Sequence, residues 1–514
     1  AGLLKFDFLG LKNLKIIKNT TDLVEKRFGI KIDIDKVPLD DTKTFEMLAR
    51  GETADLFQLN GDGMTKYLVD LKPSSIHDIN AMVALYRPGP IQFIPEYITR
   101  KHDRSKISYL DPALEPILEK TYGILVYQDD LLMMAHNLAG YSWGEVDKFR
   151  KAVGKKIPEE MAAQKEKFIK GCISHSGWSE SKAKQIWSWI EPFAAYGFNK
   201  AHSVSYGRVA YITAYLKANY PAEYMASVLS AEAGDTEKVA ESIDDCKKLG
   251  ILVLPPNINF SDGSFTVVPN KETGKDEIRF GLYSIKNFGE DIANGIIKER
   301  NKGGRFTSLS SFLQRVTHKN VNKKSIEALI MSGALDDLGD RGTLYGNIEN
   351  ILEYHRNHMQ SNSSQSSLFV MHEDFHDIRL KEVPVISNDQ KLQWEKELLG
   401  LFISGHPLDK WKHVFEKKKE NFVKLKGDEY TDGETVRDLG CIVQEVREID
   451  TKKGEKMCFA KLADPSGTIE AVVFPRTYKE LKPLLVPDTC LTIKAKISVR
   501  NDEKSLILEE ARKI

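Results

Sequence analysis

The stretch Glu191-Pro-Phe-Ala-Ala-Tyr-Gly-Phe-Asn-Lys-Ala-His-Ser-Val-Ser-Tyr206 joins two helical segments, and the rest of the chain is arranged around it. We expect a helix from about His202 to Tyr220, because Pro221 cannot continue it. Lys200 and His202 then lie at a helix N-terminus, where exposed N–H groups and the helix dipole attract a phosphate. Taken alone, these residues favour the simpler interpretation of an ordinary helix start with buried aromatics and a solvated lysine.

Bulk properties indicate a multidomain protein. The chain has 514 residues, which is too many for one core. Its 74 basic and 74 acidic side chains cancel, so a nucleic-acid binder of this kind must concentrate positive charge in patches. Five scattered cysteines without metal-binding spacing predict free thiols in a reducing cytoplasm. We expect no membrane span and no signal peptide, and the start without Met predicts a fragment.

The first residues, Leu3-Leu-Lys-Phe-Asp-Phe-Leu-Gly10, predict a short strand with Lys5 and Asp7 on the same face. A lysine and a carboxylate two residues apart suit a metal–phosphate site, although these residues taken alone favour an exposed ion pair at a strand end. A helix of about 18 residues should follow and end at Gly29.

Two short motifs in residues 36–110 stand out. The run Leu56-Phe-Gln-Leu59 predicts a buried strand. The run Arg87-Pro-Gly-Pro90 predicts a rigid turn that presents an arginine, or a purely structural corner.

The densest positive charge lies at the end of the segment Trp143–Lys156. Five basic residues fall between positions 148 and 156 with no acid among them. Lys148, Lys151 and Lys155 share one helix face, and such stacking destabilises a helix unless an anion neutralises it. Arg150 can bind a phosphate through two nitrogens, so we favour an anion site over a solvated lysine face.

Later segments indicate binding modules. Residues 278–293 resemble a helix-hairpin-helix, in which Lys286 and the Gly289 amide would contact a DNA phosphate; a second hairpin is predicted at 322–334. Two ordinary helix packings remain the alternative. In the serine-rich segment 355–370, Leu368 and Phe369 predict apolar anchors and Gln365 a polar latch for a partner's pocket, unless this loose motif arose by chance. His406 in a tight turn has no evident catalytic partner.

Residues 436–514 predict a small β-barrel of the OB type, because five short β-rich runs alternate with turns. The predicted strands are 436–449, 457–463, 468–474, 490–499 and 505–509. Such barrels bind single strands through basic and aromatic groups, for which Lys452, Lys453, Lys456 and Phe459 are candidates. We expect Phe474 to be in the core.

The ordered set of motifs resembles the bacterial C-family replicative DNA polymerases, the α subunit of DNA polymerase III. The resemblance covers the whole chain. The motifs are Lys5-Phe-Asp-Phe-Leu-Gly10, Val83-Ala-Leu-Tyr-Arg-Pro-Gly-Pro90, Thr121-Tyr-Gly-Ile-Leu-Val-Tyr-Gln128, Arg150-Lys-Ala-Val-Gly-Lys-Lys156, Tyr196-Gly-Phe-Asn-Lys-Ala-His202, Glu397-Leu-Leu-Gly400 and Ser404-Gly-His-Pro-Leu408.

This resemblance implies specific roles for residues of the chain. Asp7 would be a catalytic ligand of the two Mg²⁺ ions that drive phosphoryl transfer. The implied nucleotide-binding residues are Lys5, Arg150, Lys151, Lys200 and His202. Three positions depart from the family pattern, because Lys151 replaces an arginine, Ala201 a serine and Asn60 an acid. Asp7 alone cannot hold two ions, so we expect the isolated chain not to polymerise.

The resemblance also implies a multidomain α+β architecture. Residues 1–35 would end the palm and 36–230 form mostly helical fingers. Residues 231–355 would form the tandem helix-hairpin-helix domain that binds the clamp, 356–435 the clamp-motif peptide and connector, and 436–514 the OB domain. The implied partners are primer-template DNA, deoxynucleoside triphosphates, the sliding clamp and other replisome subunits in the bacterial cytoplasm, associated with the nucleoid. A non-catalytic DNA- and clamp-binding module, or a purely structural helical protein, remains the alternative.

Overall fold

The computed structural model describes residues 5–6, 10–155, 158–193, 197–363, 377–411, 413, 420–427, 429–500 and 503–514. Contacts divide the chain into two compact units. The first comprises Ala1–Val253 with Phe265–Ile278, and the second comprises Leu254–Ser264 with Arg279–Ile514. Within the described ranges, no helix is both long enough and apolar enough to cross a bilayer.

The first unit is built mainly from α-helices. Their bounds are Lys12–Phe28, Thr42–Ala49, Asp62–Leu71, Ile76–Leu85, Ile94–His102, Glu115–Leu118, Gln128–Ala139, Trp143–Lys155, Pro158–Ser176, Glu180–Phe193, Lys200–Asn219, Pro221–Glu232 and Thr236–Lys248. Short 3₁₀ turns lie at Ile34–Lys36, Pro90–Phe93, Arg104–Lys106, Pro112–Leu114 and Glu119–Thr121.

Local capping chemistry sets many of these helix ends. The first helix ends at Gly29, whose φ of 70° is the left-handed conformation that glycine adopts readily. The helix Thr42–Ala49 begins after Asp41, whose carboxylate accepts the Thr44 N–H. The helix predicted from about His202 to Tyr220 is confirmed as Lys200–Asn219, and Pro221 starts the next helix.

The helix Lys200–Asn219 packs against Ile76–Leu85 within the first unit. Gly207 makes this approach possible, because a Cβ on it would overlap the Asn80 side chain. Ser203 Oγ donates to the Asn80 carbonyl at 2.6 Å. The two helices therefore approach closely at Asn80, and a residue larger than glycine at position 207 would block this approach.

The predicted strand at residues 56–59 was wrong, although Leu56, Phe57 and Leu59 are buried as expected. The segment forms turns, because Asp55 and Gln58 have φ angles of 59° and 61°. This left-handed backbone breaks the alternation that a strand requires.

The strands follow the helix Thr236–Lys248 in sequence. Their bounds are β1 Val253–Leu254, β2 Thr266–Pro269, β3 Asp276–Arg279, β4 Thr435–Asp450, β5 Lys456–Asp464, β6 Gly467–Val473, β7 Cys490–Arg500 and β8 Glu503–Lys513. The first three form a small sheet in the order β1-β3-β2. The last five form a closed barrel in the order β4-β5-β6-β8-β7.

The barrel confirms the five strands predicted in residues 436–514. Neighbouring strands are antiparallel except for β6 and β8, whose parallel pairing closes the barrel. Register shifts in β4 and β7 bend the long strands, as bulges do in barrels. Phe474 contradicts the core prediction with 43% exposure, because β6 ends at Val473 and the chain turns outward into a helix that begins at Pro475.

The α-helices of the second unit lie between residues 290 and 481. Their bounds are Glu290–Gly303, Leu309–Arg315, Lys323–Met331, Arg341–Gly346, Ile348–Ser363, Asn388–Leu399, Phe422–Lys426 and Pro475–Leu481, with 3₁₀ turns at Leu282–Ser284 and Asp409–Trp411. The predicted first hairpin enters its long helix from a 3₁₀ turn rather than from an α-helix. The segment 322–334 of the predicted second hairpin contains one helix, Lys323–Met331, and the helix Leu309–Arg315 precedes it.

Residues 377–387, which we call the strap, run without helix or strand across the second unit. The Asn347 side chain accepts the Lys381 N–H at 2.8 Å and donates to the Lys381 carbonyl at 3.0 Å. Asn350 donates to the Arg379 carbonyl at 2.7 Å. Two asparagines thus satisfy backbone groups that a sheet would otherwise pair.

Candidate functional site

The start of the helix Lys200–Asn219 is fixed from two sides. The Asn199 side chain accepts the His202 N–H at 2.8 Å and caps the helix. The Gln128 N–H donates to the Phe198 carbonyl at 2.9 Å, and Tyr127 forms a parallel bridge with Phe198. The turn and the helix Gln128–Ala139 therefore form one local support for Lys200. Tyr196 lies outside the described residues.

Two neighbouring aspartates hold Lys200. Its backbone N–H donates to Asp129 Oδ2 at 2.8 Å, and its Nζ donates to Asp130 Oδ1 at 2.8 Å. The Asp130 side chain is 3% exposed, whereas that of Lys200 is 42% exposed. Burial raises the pKa of Asp130, and the Lys200 ammonium acts in the opposite direction. Lys200 thus pairs with a buried carboxylate while part of its own side chain reaches the surface.

Flat side chains continue from this helix start in a row. Arg87 lies 3.7 Å above the Phe198 ring centre, so the predicted arginine-bearing turn places its guanidinium on an aromatic face. His202 meets Phe198 edge-on at 5.4 Å and stacks on Tyr206 at 4.2 Å. Phe57 lies 5.3 Å from Tyr206 at the buried end. Arg87 and His202 are both exposed.

Arg150 and Lys151 lie on the neighbouring helix Trp143–Lys155. Both form ion pairs with Asp147, each at 2.8 Å. Hydrogen bonds from Lys151 and then from Arg150 lower the pKa of Asp147. The positive charge at these two residues is therefore partly balanced by a carboxylate of the same helix. Exposed pairs of this kind contribute little free energy, so a stronger anion can displace Asp147.

The helices that carry these residues share an apolar core. The helix Gln128–Ala139 contributes Leu131 and Met134 to this core. Phe149 and Val153 come from Trp143–Lys155, and Ile190 comes from Glu180–Phe193. Phe149 contacts Trp187 with ring centres 6.2 Å apart. This core positions the Arg150 helix relative to the support of Lys200.

The predicted metal site falls mostly outside the described residues. Asp7 is not described, and Lys5 is exposed. In the described part of the chain, no group of three or more His, Cys, Asp or Glu residues could hold a metal ion. The carboxylates needed for two Mg²⁺ ions are thus not found among the described residues, so we derive no chemical step through these ions.

The predicted DNA-contacting residues lie on exposed turns of the second unit. Lys286 and Gly289 are exposed before the helix Glu290–Gly303, and the Lys286 N–H already donates to the Leu398 carbonyl at 2.9 Å. Gly289 has a φ of −77°, and a Cβ built on it would meet nothing within 4 Å. Glycine is therefore not required there by the backbone, and the amide lies at an open helix N-terminus.

The residues predicted to bind a single strand lie in the turn between β4 and β5 and on β5. Lys452 and Lys453 are exposed in the turn between β4 and β5. Arg447 lies 5.3 Å above the Phe459 ring centre. Lys456 is paired with Glu448, whose pKa is lowered to about 2 by Lys456 and then by Lys482.

Two further motifs differ in whether the structure describes them. The clamp-motif residues Gln365, Leu368 and Phe369 lie outside the described residues. His406 is structural, as expected, because its Nδ1 accepts the Leu408 N–H at 3.1 Å and its own N–H donates to Asp409.

Sequence reasoning missed the acids that hold Lys200. Asp129 and Asp130 follow Tyr127 directly in the sequence, but no spacing rule links them to a lysine 70 residues later. The only available signal was their position in the first turn of a helix. Phe57 and Tyr206 were missed as stacking partners for the same reason.

Comparison with known families identifies three segments. Residues 13–176 match the model of the bacterial DNA polymerase III alpha subunit finger domain. Residues 250–344 match the helix-hairpin-helix motif, and residues 441–514 match the OB-fold nucleic acid binding domain.

Relatives that align with almost the whole of this chain agree with these matches. The chain is 40% identical over 523 residues to DNA polymerase III subunit alpha of Thermus aquaticus, covering 99% of this chain and 41% of that protein. It is 40% identical over 496 residues to the same subunit of Aquifex aeolicus (strain VF5), covering 96% of this chain and 40% of that protein. The Staphylococcus aureus (strain MRSA252) subunit is 38% identical over 514 residues, with 99% and 46% covered.

The chain belongs to the DNA polymerase III alpha subunit family. It spans less than half the length of the curated relatives it matches. The multidomain α+β fold predicted from its sequence is confirmed, with a helix-hairpin-helix domain and a closed OB-type barrel. Lys200 and His202 lie beyond the residues that match the finger model.

Proposed function

We propose that this chain is the part of a replicative DNA-directed DNA polymerase that binds the incoming deoxynucleoside triphosphate. The observation that carries the proposal is the start of the helix Lys200–Asn219. There an exposed lysine lies beside a row of flat groups that includes Arg87 and His202. Cations suit a triphosphate and flat faces suit a base, so both parts of a nucleotide have chemically matched neighbours.

The chain's own residues would position the nucleotide rather than react with it. Lys200, Arg150 and Lys151 would exchange their carboxylate partners for phosphate oxygens, and Lys5 would add a further cation. Asp7, together with carboxylates that the described residues do not supply, would hold two Mg²⁺ ions that activate the primer 3′-OH and stabilise pyrophosphate. The isolated chain is therefore proposed to bind nucleotide without polymerising it.

The second unit is proposed to bind nucleic acid and the replication machinery. Lys286 and the Gly289 amide would contact duplex phosphates, and Lys452 and Lys453 would contact single-stranded template. The peptide with Leu368 and Phe369 would dock on the sliding clamp, beside other replisome subunits. The fold matches support nucleic-acid binding, whereas the clamp contact rests on the peptide sequence.

Nucleotide binding can be tested on the purified chain with dATP. Lys200→Met should weaken binding severalfold, because a charge-assisted contact to phosphate is lost. Lys170→Met is the matched control, since Lys170 is an exposed helical lysine 80% accessible to solvent. Equal dATP affinity in Lys200→Met and the unchanged chain would contradict the proposal.

A non-catalytic DNA- and clamp-binding module is the second candidate function, favoured by the nucleic-acid-binding folds of the second unit. Both candidates require primed DNA to bind, with an affinity that falls steeply as salt rises. Replacing Leu368 and Phe369 by alanine should abolish retention on the clamp and leave DNA binding unchanged. A chain that binds dATP supports the polymerase role, and one that binds only DNA and clamp supports the module.

A further inference from the structure

The ion pair between Lys200 and Asp130 joins one exposed group to one buried group. The Lys200 Nζ is 2.8 Å from Asp130 Oδ1, and the lysine side chain is 42% exposed. The second carboxylate oxygen, Asp130 Oδ2, is buried and has no hydrogen-bond donor in the described structure. Lys200 is therefore the charged group that compensates this carboxylate.

Other charged neighbours cannot replace Lys200. Asp129 carries the same charge as Asp130 and already accepts the Lys200 backbone N–H at 2.8 Å. The Tyr127 side chain lies on the same support, and burial raises its pKa. Burial lowers the pKa of His77 and the Lys200 charge acts in the same direction, which disfavours a second positive charge. If Lys200 moves away, Asp130 is left as a buried acid without a cation.

We propose that Asp130 is a positioning residue that holds Lys200 until a phosphate takes the ammonium, and that Asp130 then takes up a proton from solvent. The inference rests on the proposed nucleotide-binding role of Lys200. A buried carboxylate without a partner is costly, and neutralisation removes that cost. Anion binding and protonation are then linked at one residue.

The direction of the pH dependence follows from this exchange. Asp130 is ionised while it is paired with Lys200 and neutral once the phosphate is bound, so binding takes up a proton. Burial already raises the pKa of Asp130 above its ordinary value, and loss of Lys200 raises it further. The affinity for the anion therefore increases as pH falls between these two values, approaching about tenfold per pH unit for one proton.

The experiment is titration calorimetry of the full chain with dATP at several pH values, in buffers with different heats of ionisation. Asp130→Asn keeps the shape of the side chain and removes the titrating group. The unchanged chain should take up more protons than Asp130→Asn, which reports only the protonation of dATP itself. Asp130→Asn should also bind dATP severalfold more tightly at neutral pH, because Lys200 no longer leaves a charged partner.

Two further variants separate the possible outcomes. Asp147→Asn removes an exposed acid that also pairs with cations, and it should retain the proton uptake of the unchanged chain. Lys200→Met should bind dATP weakly and without the extra proton, which also serves as the test if Asp130→Asn fails to fold. Equal proton uptake in the unchanged chain and Asp130→Asn, or in the unchanged chain and Lys200→Met, would overturn the role of Asp130. Unweakened binding by Lys200→Met would instead overturn the proposed function.

Discussion

Asp55 shows how a single partly buried acid can oppose the fold that contains it. Ser242 Oγ donates to Asp55 Oδ1 at 3.2 Å, while Asp55 Oδ2 is buried without a donor in the described structure. Nearby, Lys217 Nζ contacts Asp245 at 2.5 Å and also donates to a backbone carbonyl. Burial raises the pKa of Asp55 to about 6, although Lys217 acts in the opposite direction.

Asp55→Asn should stabilise the first unit at neutral pH. The folded form binds the Asp55 proton more tightly than the unfolded form, so the free energy of unfolding falls as pH rises from about 4 to about 6. The loss amounts to at most about 3 kcal/mol. Asparagine tolerates the φ of 59° at this position. Urea unfolding at pH 5 and pH 7.5 should show a smaller difference in Asp55→Asn.

Asp103→Asn provides the comparison for this measurement. Asp103 is exposed, and hydrogen bonds from Ser105 lower its pKa, so its contribution is lost as pH falls and has the opposite sign. This variant should keep the decline in stability between pH 5 and pH 7.5. An unchanged decline in Asp55→Asn would show that Lys217 and Ser242 compensate the charge of Asp55 despite the like-charged Asp245 and Glu232.

At the scale of elements, close packing of the helix Lys200–Asn219 depends on Gly207. Gly207→Ala should destabilise the first unit by about 1–3 kcal/mol, because the new methyl group would overlap the buried Asn80 side chain. An alanine in an open helix position usually stabilises instead. The measurement is the midpoint of urea unfolding for Gly207→Ala and for a control variant.

Gly144→Ala is the matched control for Gly207→Ala. Gly144 lies in the helix Trp143–Lys155, and a Cβ on it would meet nothing within 4 Å. This variant should be neutral or slightly stabilising, since only helix propensity changes. If the two variants had the same stability, the contact between Gly207 and Asn80 would not limit the packing.

Local signals in the sequence predicted the elements well, and distant contacts could not be predicted. The barrel strands follow from β-rich runs separated by turns, and the end of the helix Lys200–Asn219 follows from Pro221. The overlap of Gly207 with Asn80 joins residues that are far apart in sequence. Asp130 reaches Lys200 across 70 residues for the same reason. Phe474 was misassigned because the predicted strand was extended by one residue past its end at Val473.

At the scale of the whole molecule, the barrel has a core of its own. The apolar cluster inside it draws on residues between Phe422 and Ala511. Phe422 and Leu425 are fully buried, although they precede the predicted domain start at residue 436. The Phe422 N–H donates to Asp464 Oδ2 at 2.8 Å, which joins this short helix to the end of β5.

A piece comprising residues 421–514 should fold on its own, with one cooperative urea transition. A piece comprising residues 436–514 should be less stable by at least about 3 kcal/mol, because it lacks two fully buried side chains. Val423→Ala in the longer piece is the control, since Val423 is 57% exposed and its loss should cost less than about 0.5 kcal/mol. Equal midpoints for the two pieces would place Phe422 and Leu425 outside the cooperative unit.

The strap has a consequence for how sequence can vary along this chain. Asn347 binds Lys381 through its backbone N–H and carbonyl, and Asn350 binds Arg379 through its backbone carbonyl. Every residue except proline offers the same groups at position 381. Substitutions at position 381 are therefore neutral with respect to this docking unless they introduce proline, whereas Asn347 has no equivalent replacement. Residues 379 and 381 can therefore vary in sequence without loss of these hydrogen bonds, whereas the two asparagines cannot.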